Sequence, residues 1–537
     1  MRKKWLTICL SSIMAGSMLL SACSNGGGNE SGAALEDREP SDNFNQTGFP
    51  IVKEPIKVSM MGARHALVGE WKNLQFFKEM QEKTNIQFEF NTPPQADYDE
   101  KKNLSFASGE IPDVFFGGQL TPDDEFTYGK QGVLIPLEGL VEKFAPNIQK
   151  MFDEHPEIKK SVTTPDGHIY ALPSVNMASI AKLPATWING NWLQKLGISE
   201  LPHTTDELYE LLTAFKNKDP NGNGKPDEIP LTSINLGDVR NILLPAFGIV
   251  GRAHIVKDGK VIYGAVQPEY KEYVTFMNKL WREKLLDPGT FSQTVEQKSA
   301  KGNAGQIGMF TDSLPYLTLG GDAESSTIHP ILPALTSSAD RKPMITQWSG
   351  MTRGTFAITN KSKDPEAMIR WVDYLYSPEG EILVHYGKEG DLWEWADPEK
   401  KLRKYRNPPA GMNLEEYRGG SITPAVGVSI PMFTPNEVEA NWKDTMHQYR
   451  IKEVDEKLAP YGEPVFPEIY LLPEERQQIQ GIETDLNTYL ESMEAKLVAG
   501  EAPLENWDTF QKTIEDMQVD KLLEVYQTAY DRWAGTN

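Results

Sequence analysis

The sequence predicts a large α/β protein with a helical C-terminal region, and three observations carry the prediction. First, 537 residues, 39% of them hydrophobic, correspond to roughly two to four folding units with sizeable cores. Second, strand and helix patterns alternate between residues 56 and 116, the order that packs as a parallel sheet with crossover helices. Third, from about Pro473 to the end only helical periodicity remains.

Ile56, Val58 and Met60 alternate as in a strand, and about Gly69–Lys83 is helical in character. Ile86, Phe88 and Phe90 alternate again, followed by a helix near Asp97–Ser108 and the apolar run Val114–Phe116. A second set of elements begins near Ala185. There Thr204-x-x-Glu207 reads as a capping box opening a helix that buries Leu208, Leu211, Leu212 and Phe215. Asp364-Pro365-Glu366 supplies an N-cap, a first-turn proline and first-turn acid, ahead of Met368, Trp371, Val372 and Leu375 at helical spacing. In the last region Leu486, Tyr489, Leu490 and Met493 form one stripe, and Trp507, Phe510 and Ile514 another. Periodicity assigns Trp192 and Trp371 to cores.

The N-terminal residues point to an export route. Arg2, Lys3 and Lys4 precede an apolar stretch from Trp5 to Leu20, short for a membrane span and placed as a secretory signal is. It ends in Leu20-Ser21-Ala22-Cys23, which resembles the lipobox of bacterial lipoproteins at all four positions. That resemblance implies cleavage before Cys23, acylation of its thiol, and anchoring on the outer face of the bacterial cell membrane. Cys9 leaves with the signal, so neither a disulfide nor thiol chemistry is expected. Residues 23–50, Gly-, Ser-, Asn- and Glu-rich, read as a flexible tether. The formal charge of −22 argues against nucleic acid as a partner.

The strongest chemical signal is Asp219-Pro220-Asn221-Gly222-Asn223-Gly224-Lys225-Pro226-Asp227-Glu228. Oxygen side chains at alternate positions followed by a glycine allow a backbone to coil around a hard cation. Asp219, Asn221 and Asn223 fall at positions 1, 3 and 5, Gly224 at the sharp turn, and Lys225 offers its carbonyl. Asp227 and Glu228 complete the set for a structural Ca2+, although Pro230 stands where an EF-hand has its bidentate glutamate. The alternative is a polar Asx/Gly turn without metal. No nucleophile elbow, phosphate-cradling loop, dinucleotide fingerprint or zinc pattern occurs, so enzyme is the weaker class. Acidic pairs such as Glu389/Asp391 imitate a glycosidase's carboxylates, but among 76 acidic residues a solvated face is the simpler reading.

Several segments, in order along the chain, are similar to the extracellular solute-binding proteins of bacterial ABC importers, family 1, in its oligosaccharide- and alginate-binding lipoprotein branch. They are the lipobox, Ser108-Gly109-Glu110-Ile111-Pro112-Asp113-Val114 ahead of Gly117-Gly118, Trp192-Leu193-x-x-Leu196-Gly197, and the oxygen-rich loop. The helix opened by Asp364, Tyr386-Gly387-x-Glu389-Gly390-x-x-Trp393 and Tyr526-x-x-Ala529-Tyr530-x-Arg532 complete the set. The resemblance implies a two-lobe periplasmic-binding-protein-like fold with a hinge, calcium in the loop, and delivery of an oligosaccharide to an ABC permease by a monomer. It places residues 51–180 plus about 310–360 in the N-terminal lobe, and 181–309 plus about 361–537 in the C-terminal lobe. Asn189 and Asn191 replace the basic and acidic residues many relatives carry before Trp192, which weakens a uronic-acid ligand and favours a neutral or mixed one.

Tryptophan offers flat area to a pyranose face while polar side chains satisfy its hydroxyl rim. The candidates in loop segments are Trp187, Trp348, Trp393 and Trp395, with Arg64, Gln119, Asn176, Asp238 and Arg353 as polar partners. The competing classes are a receptor for a peptide or other small molecule, a secreted glycoside-active enzyme, and a purely structural surface lipoprotein.

Overall fold

A computed structural model describes residues 40–535; the signal segment, Cys23 and most of the tether lie outside the described residues. The expected strand Ile56–Met61 buries Val58, Met60 and Met61, and Ile86–Asn91 alternates buried Ile86 and Phe88 with exposed Gln87 and Glu89. Between them, Gln75–Thr84 puts Phe76, Phe77 and Met80 inward. The helix Tyr98–Ser108 and the strand Val114–Phe116 complete the expected series.

These strands enter a six-stranded sheet ordered Met432–Thr434, Leu172–Asn176, Met351–Ile358, Val114–Phe116, Ile56–Met61, Ile86–Asn91. All run one way except Met351–Ile358. A three-stranded sheet, Thr186–Ile188, Ile307–Thr311, Ile229–Thr232, organises the second lobe. Its core is one continuous cluster that draws on residues 178–345 and 446–529 and on none between 351 and 434. The capping box at Thr204 and Glu207 forms as expected, and Leu208, Leu211, Leu212 and Phe215 are buried. The three C-terminal helices, Pro473–Ala499, Trp507–Asp516 and Val519–Gly535, pack on this core through Leu486, Leu490, Trp507, Phe510 and Ile514. Among the described residues, no helix is long and apolar enough to cross a membrane.

The lobes divide differently from the expectation. Residues 310–347 lie in the second lobe, where Ile331 bridges Trp187 and joins the core. Residues 361–434 lie in the first. Helix Pro365–Leu375 sets Trp371 against the rings of Phe88, Phe116 and Phe356. Asp373 on the same helix accepts the Asn147 and Ile148 amides at 2.9 Å, closing the start of the helix Pro146–Glu154. Asp364 begins the 365–375 helix without a side-chain cap bond, so the proline at its first position sets the start. The described end of the tether and the residues just after it are also packed. Ile51 and Val52 are buried, Phe44 bridges Val52 and meets Phe144 edge-on, and the Arg370 guanidinium holds the Asn45 and Gly48 carbonyls.

Three segments cross between the lobes: 177–185, 348–350 and 435–444. The first leaves the carboxyl end of Leu172–Asn176 and enters Thr186–Ile188, whose Thr186 pairs with Thr311 at the carboxyl end of its antiparallel neighbour. The crossings thus join the carboxyl edges of the two sheets, the side of an α/β sheet where ligands bind. The second crossing lies beside the first, with the Trp348 amide donating to the Lys182 carbonyl at 2.9 Å.

Candidate functional site: the strand ends between two lobes

At the first lobe's carboxyl edge, the turns after Ile56–Met61 and Ile86–Asn91 enclose a hollow of about 520 Å³. It is lined by Arg64, His65, Ala66, Pro94, Gln95 and Ala96. The two turns are tied backbone to backbone, the Arg64 amide donating to the Pro93 carbonyl and the Gln95 amide to the Arg64 carbonyl. The Arg64 guanidinium is held by the Thr92 and Val68 carbonyls and by Glu70 at 3.4 Å. His65 is roofed by Gly427, whose φ is +68°; a Cβ there would stand 2.4 Å from the imidazole, so only glycine lets this loop close. Gln95 donates from its amide to the Gly427 carbonyl at 3.3 Å. The hollow therefore combines an apolar floor with amide, guanidinium and imidazole groups at its rim, a composition suited to a hydroxylated ring.

Gln119 and Asn176 lie at the ends of two further strands of the same edge. Gln119 has a positive φ of 45°, and its carbonyl accepts from Lys102 at 3.0 Å. Asn176 accepts the Ala178 amide, fixing the first crossing. Across from them, Asp238 follows the carboxyl end of Ile229–Thr232 and holds the Ser233 hydroxyl at 2.9 Å and the Asn235 amide at 3.0 Å. Trp348, 39% exposed, stands on the second crossing. It lines a groove of about 750 Å³ with Met177, Lys182, Val250, Phe466 and Trp533.

Four further expected ligand residues lie away from this hollow. Trp187 is fully buried, and its indole N–H donates to the Asp312 carbonyl at 2.9 Å. It is core, hidden from the sequence because its strand is only three residues long. Trp393 is 6% exposed, donates to the Gly387 carbonyl and meets Trp395 edge-on at 5.0 Å. Both sit on the hairpin Trp393–Asp397 and Leu402–Tyr405, lining a separate recess of about 1000 Å³ with Tyr374 and Phe433. Arg353 is enclosed between Glu125 and the Tyr470 ring instead of facing the cleft. Sequence reasoning missed His65 and Gln95, although each closely follows a recognised strand and the strand-end rule reaches both.

In the loop at Asp219–Glu228, Asp219 takes the Asn223 and Gly224 amides at 3.1 Å, and Asp227 takes the side-chain amides of Asn221, Asn223 and Gln306. These bonds hold Asp227 below the usual carboxylate range. Glu228 is pushed up by burial and by the neighbouring Asp219 and Asp227 charges, and its buried Oε1 has no partner. The unpartnered Glu228 oxygen beside the Asp219 and Asp227 carboxylates is of the kind a hard cation takes, while the Asn221 and Asn223 side chains donate to Asp227 and their amide oxygens accept the Asn223 and Lys225 N–H groups. The fit requires those amides, because among the described residues no three His, Cys, Asp or Glu side chains gather as a metal group.

Two α/β lobes, joined by three crossings at facing strand ends that carry a polar-rimmed hollow, define a two-lobed binding protein. Residues 65–382 match the bacterial extracellular solute-binding protein family, and the chain belongs to that family. It is 31% identical over 509 residues to the fructooligosaccharide ABC transporter substrate-binding protein FusA of Streptococcus pneumoniae serotype 4, spanning 90% of this chain and 92% of that one. Lipoprotein LipO of Bacillus subtilis is 22% identical over 409 residues, 74% of each chain. Among solved structures, S. pneumoniae FusA in complex with kestose superposes with a TM-score of 0.72 at 28% identity, covering 90% of this chain and 100% of that one. A FusA EF-hand mutant in complex with fructo-nystose gives the same TM-score at 27% identity.

Proposed function

We propose that this chain is the substrate-binding protein of an ABC importer, held on the outer face of a bacterial membrane by lipid on Cys23. It captures a neutral, fructose-containing oligosaccharide between its lobes and delivers it unaltered to the permease. The observation that carries this reading is the match to FusA along nine-tenths of the chain. The hollow supports it: Pro94 and the His65 ring offer flat apolar area, and Arg64 and Gln95 offer groups for a hydroxyl rim. Gln119, Asn176 and Asp238, at other strand ends outside the hollow, are proposed as further polar partners. The Arg64 guanidinium already faces Glu70, so it is a donor to hydroxyls more than a free counter-charge for a uronate.

Calorimetric titration of the full chain with kestose, nystose and trigalacturonate tests the reading. Kestose or nystose should bind stoichiometrically and be recovered intact, and the oligouronide about tenfold or more weaker. Tighter uronide binding, or cleaved sugar in the tube, sinks it. Arg64→Ala should weaken kestose binding by about 1–2 kcal/mol, seen as an order-of-magnitude rise in Kd.

Calcium is proposed as a structural ion held by Asp219, Asn221, Asn223, Asp227, Glu228 and the Lys225 carbonyl. The EF-hand of the FusA relative and the unpartnered Glu228 oxygen support it. Binding to the native state alone stabilises by about 2.7 kcal/mol at a hundredfold excess over Kd. A chelator should therefore lower Tm, and Asp219→Ala should abolish that response. Identical melts with and without chelator refute the ion.

A further inference from the structure

One polar cluster joins the two lobes away from the hollow. Glu125 lies on the helix Pro122–Lys130 and Arg353 on the strand Met351–Ile358, both in the first lobe. Tyr470 comes from the second lobe, next to Leu471 of its core and just ahead of the long helix Pro473–Ala499. Its hydroxyl donates to the Glu125 carboxylate and lies 3.2 Å from the Val162 carbonyl. The Arg353 guanidinium stacks 3.8 Å over the Tyr470 ring, and its Nη2 stands 3.5 Å from Glu125. Exposure is 7% for the Arg353 side chain, 1% for that of Glu125 and 5% for Tyr470.

We propose that Tyr470, Glu125 and Arg353 form an interlobe latch that sets the resting arrangement of the lobes, and through it ligand affinity, without touching the ligand. The cluster is incompletely satisfied: Arg353 Nε and Nη1 and Glu125 Oε1 are buried without partners. Desolvating a charged pair is offset only when its remaining hydrogen-bonding groups are filled. A half-filled cluster is therefore close to balance between dry contact and hydration, the property a reversible latch needs and a permanent core contact lacks. Its surroundings are also separable. Arg476 of the second lobe faces Asp123 of the first at 3.8 Å, and Lys160 of the first reaches the Ala534 carbonyl at 3.1 Å and the Trp533 ring at 5.1 Å. Rim pairs of this kind contribute little individually, whereas the triad is buried. None of the three residues lines the Arg64–Ala96 hollow.

The test is small-angle scattering of the ligand-free full chain, parent against Tyr470→Phe and Tyr470→Ala, with Tm and kestose titration in parallel. Tyr470→Phe keeps the ring on Arg353 and removes the hydroxyl, so it should fold as the parent does. Its radius of gyration should rise, and kestose affinity should fall about threefold or more as the binding arrangement loses population. Tyr470→Ala should increase both effects. A lowered Tm with unchanged scattering in both variants makes the triad ordinary interface packing and overturns the proposal. The affinity arm rests on the sugar reading above and the scattering arm does not. A parent that ignores kestose but expands in the variants would reject the ligand and keep the latch.

Discussion

Glu494→Ala should destabilise the protein by about 3–5 kcal/mol, the loss expected when one member of a buried charge cluster is removed. Glu494 is 1% exposed on the helix Pro473–Ala499. Its carboxylate is met by Arg240 at 2.6 Å and by Arg252, with the Tyr273 hydroxyl at 3.3 Å. Without it, two mostly buried guanidinium groups keep only the exposed Glu491 carboxylate, 3.6 Å from Arg252, as counter-charge, and an undercompensated buried charge costs far more than the pair contributes net. Urea unfolding of parent and variant measures the loss. A companion variant separates repulsion from lost packing: Glu494→Leu with Arg240→Met and Arg252→Met should recover most of the stability, because replacing a whole buried ionic group with matched apolar volume is often neutral. The consequence reaches the cleft as well. Arg240 lies on the helix Leu236–Leu243, whose first turn carries Asp238. Releasing that helix should loosen Asp238, which the proposed function places among the ligand's polar partners.

Neither Glu494 nor its partners stand out in the sequence, and the reason bears on how far such reading extends. Periodicity reports that a face is buried, not what buries it. The stripe through Met368, Trp371, Val372 and Leu375 is rightly read as core, yet its helix packs on Phe88 and Phe116 from far earlier in the chain. The long-range pairing of Met432–Thr434 with Leu172–Asn176 is what assigns residues 361–434 to the first lobe, and no local pattern encodes it. Local chemistry is legible where its partners are local: the Thr204 capping box and the strand series 56–116 form as expected. The site divides along the same line. Arg64, Gln119, Asn176 and Asp238 reach the facing strand ends because a strand's end is a local property. Trp187, Trp393 and Arg353 are claimed by Asp312, Gly387 and Tyr470, contacts that only the tertiary fold supplies.

Mild acid should weaken the fold, and His329 should carry a large share of the effect. His329 is 5% exposed, and its Nδ1 accepts the Gly190 amide at 3.0 Å, a role only the neutral ring can perform. Gly190 cannot yield, because a Cβ there would stand 1.9 Å from the Ile328 carbonyl oxygen. Burial brings the imidazole down to about 4 from the ordinary 6.5. The unfolded chain therefore takes up a proton near pH 6.5 that the folded chain refuses until about pH 4. Stability from this group is complete above about 6.5 and is lost as pH falls through that window, by about 3 kcal/mol in all. His254, stacked 3.9 Å on Tyr526 and likewise lowered to about 4 by burial, adds to the same slope. Asp373 opposes it: burial raises its carboxyl to about 6, so the folded state gains as acid protonates it. Glu125, Glu228 and Asp391, which burial also raises, act with Asp373, while carboxylates held low, Asp287 and Glu439 among them, act with the two histidines, and a net loss is the expected result. Urea midpoints taken from neutral pH down to about pH 4.5 should fall, and His329→Gln, which offers an acceptor that does not titrate, should flatten the slope. A variant as acid-sensitive as the parent would place the proton uptake elsewhere.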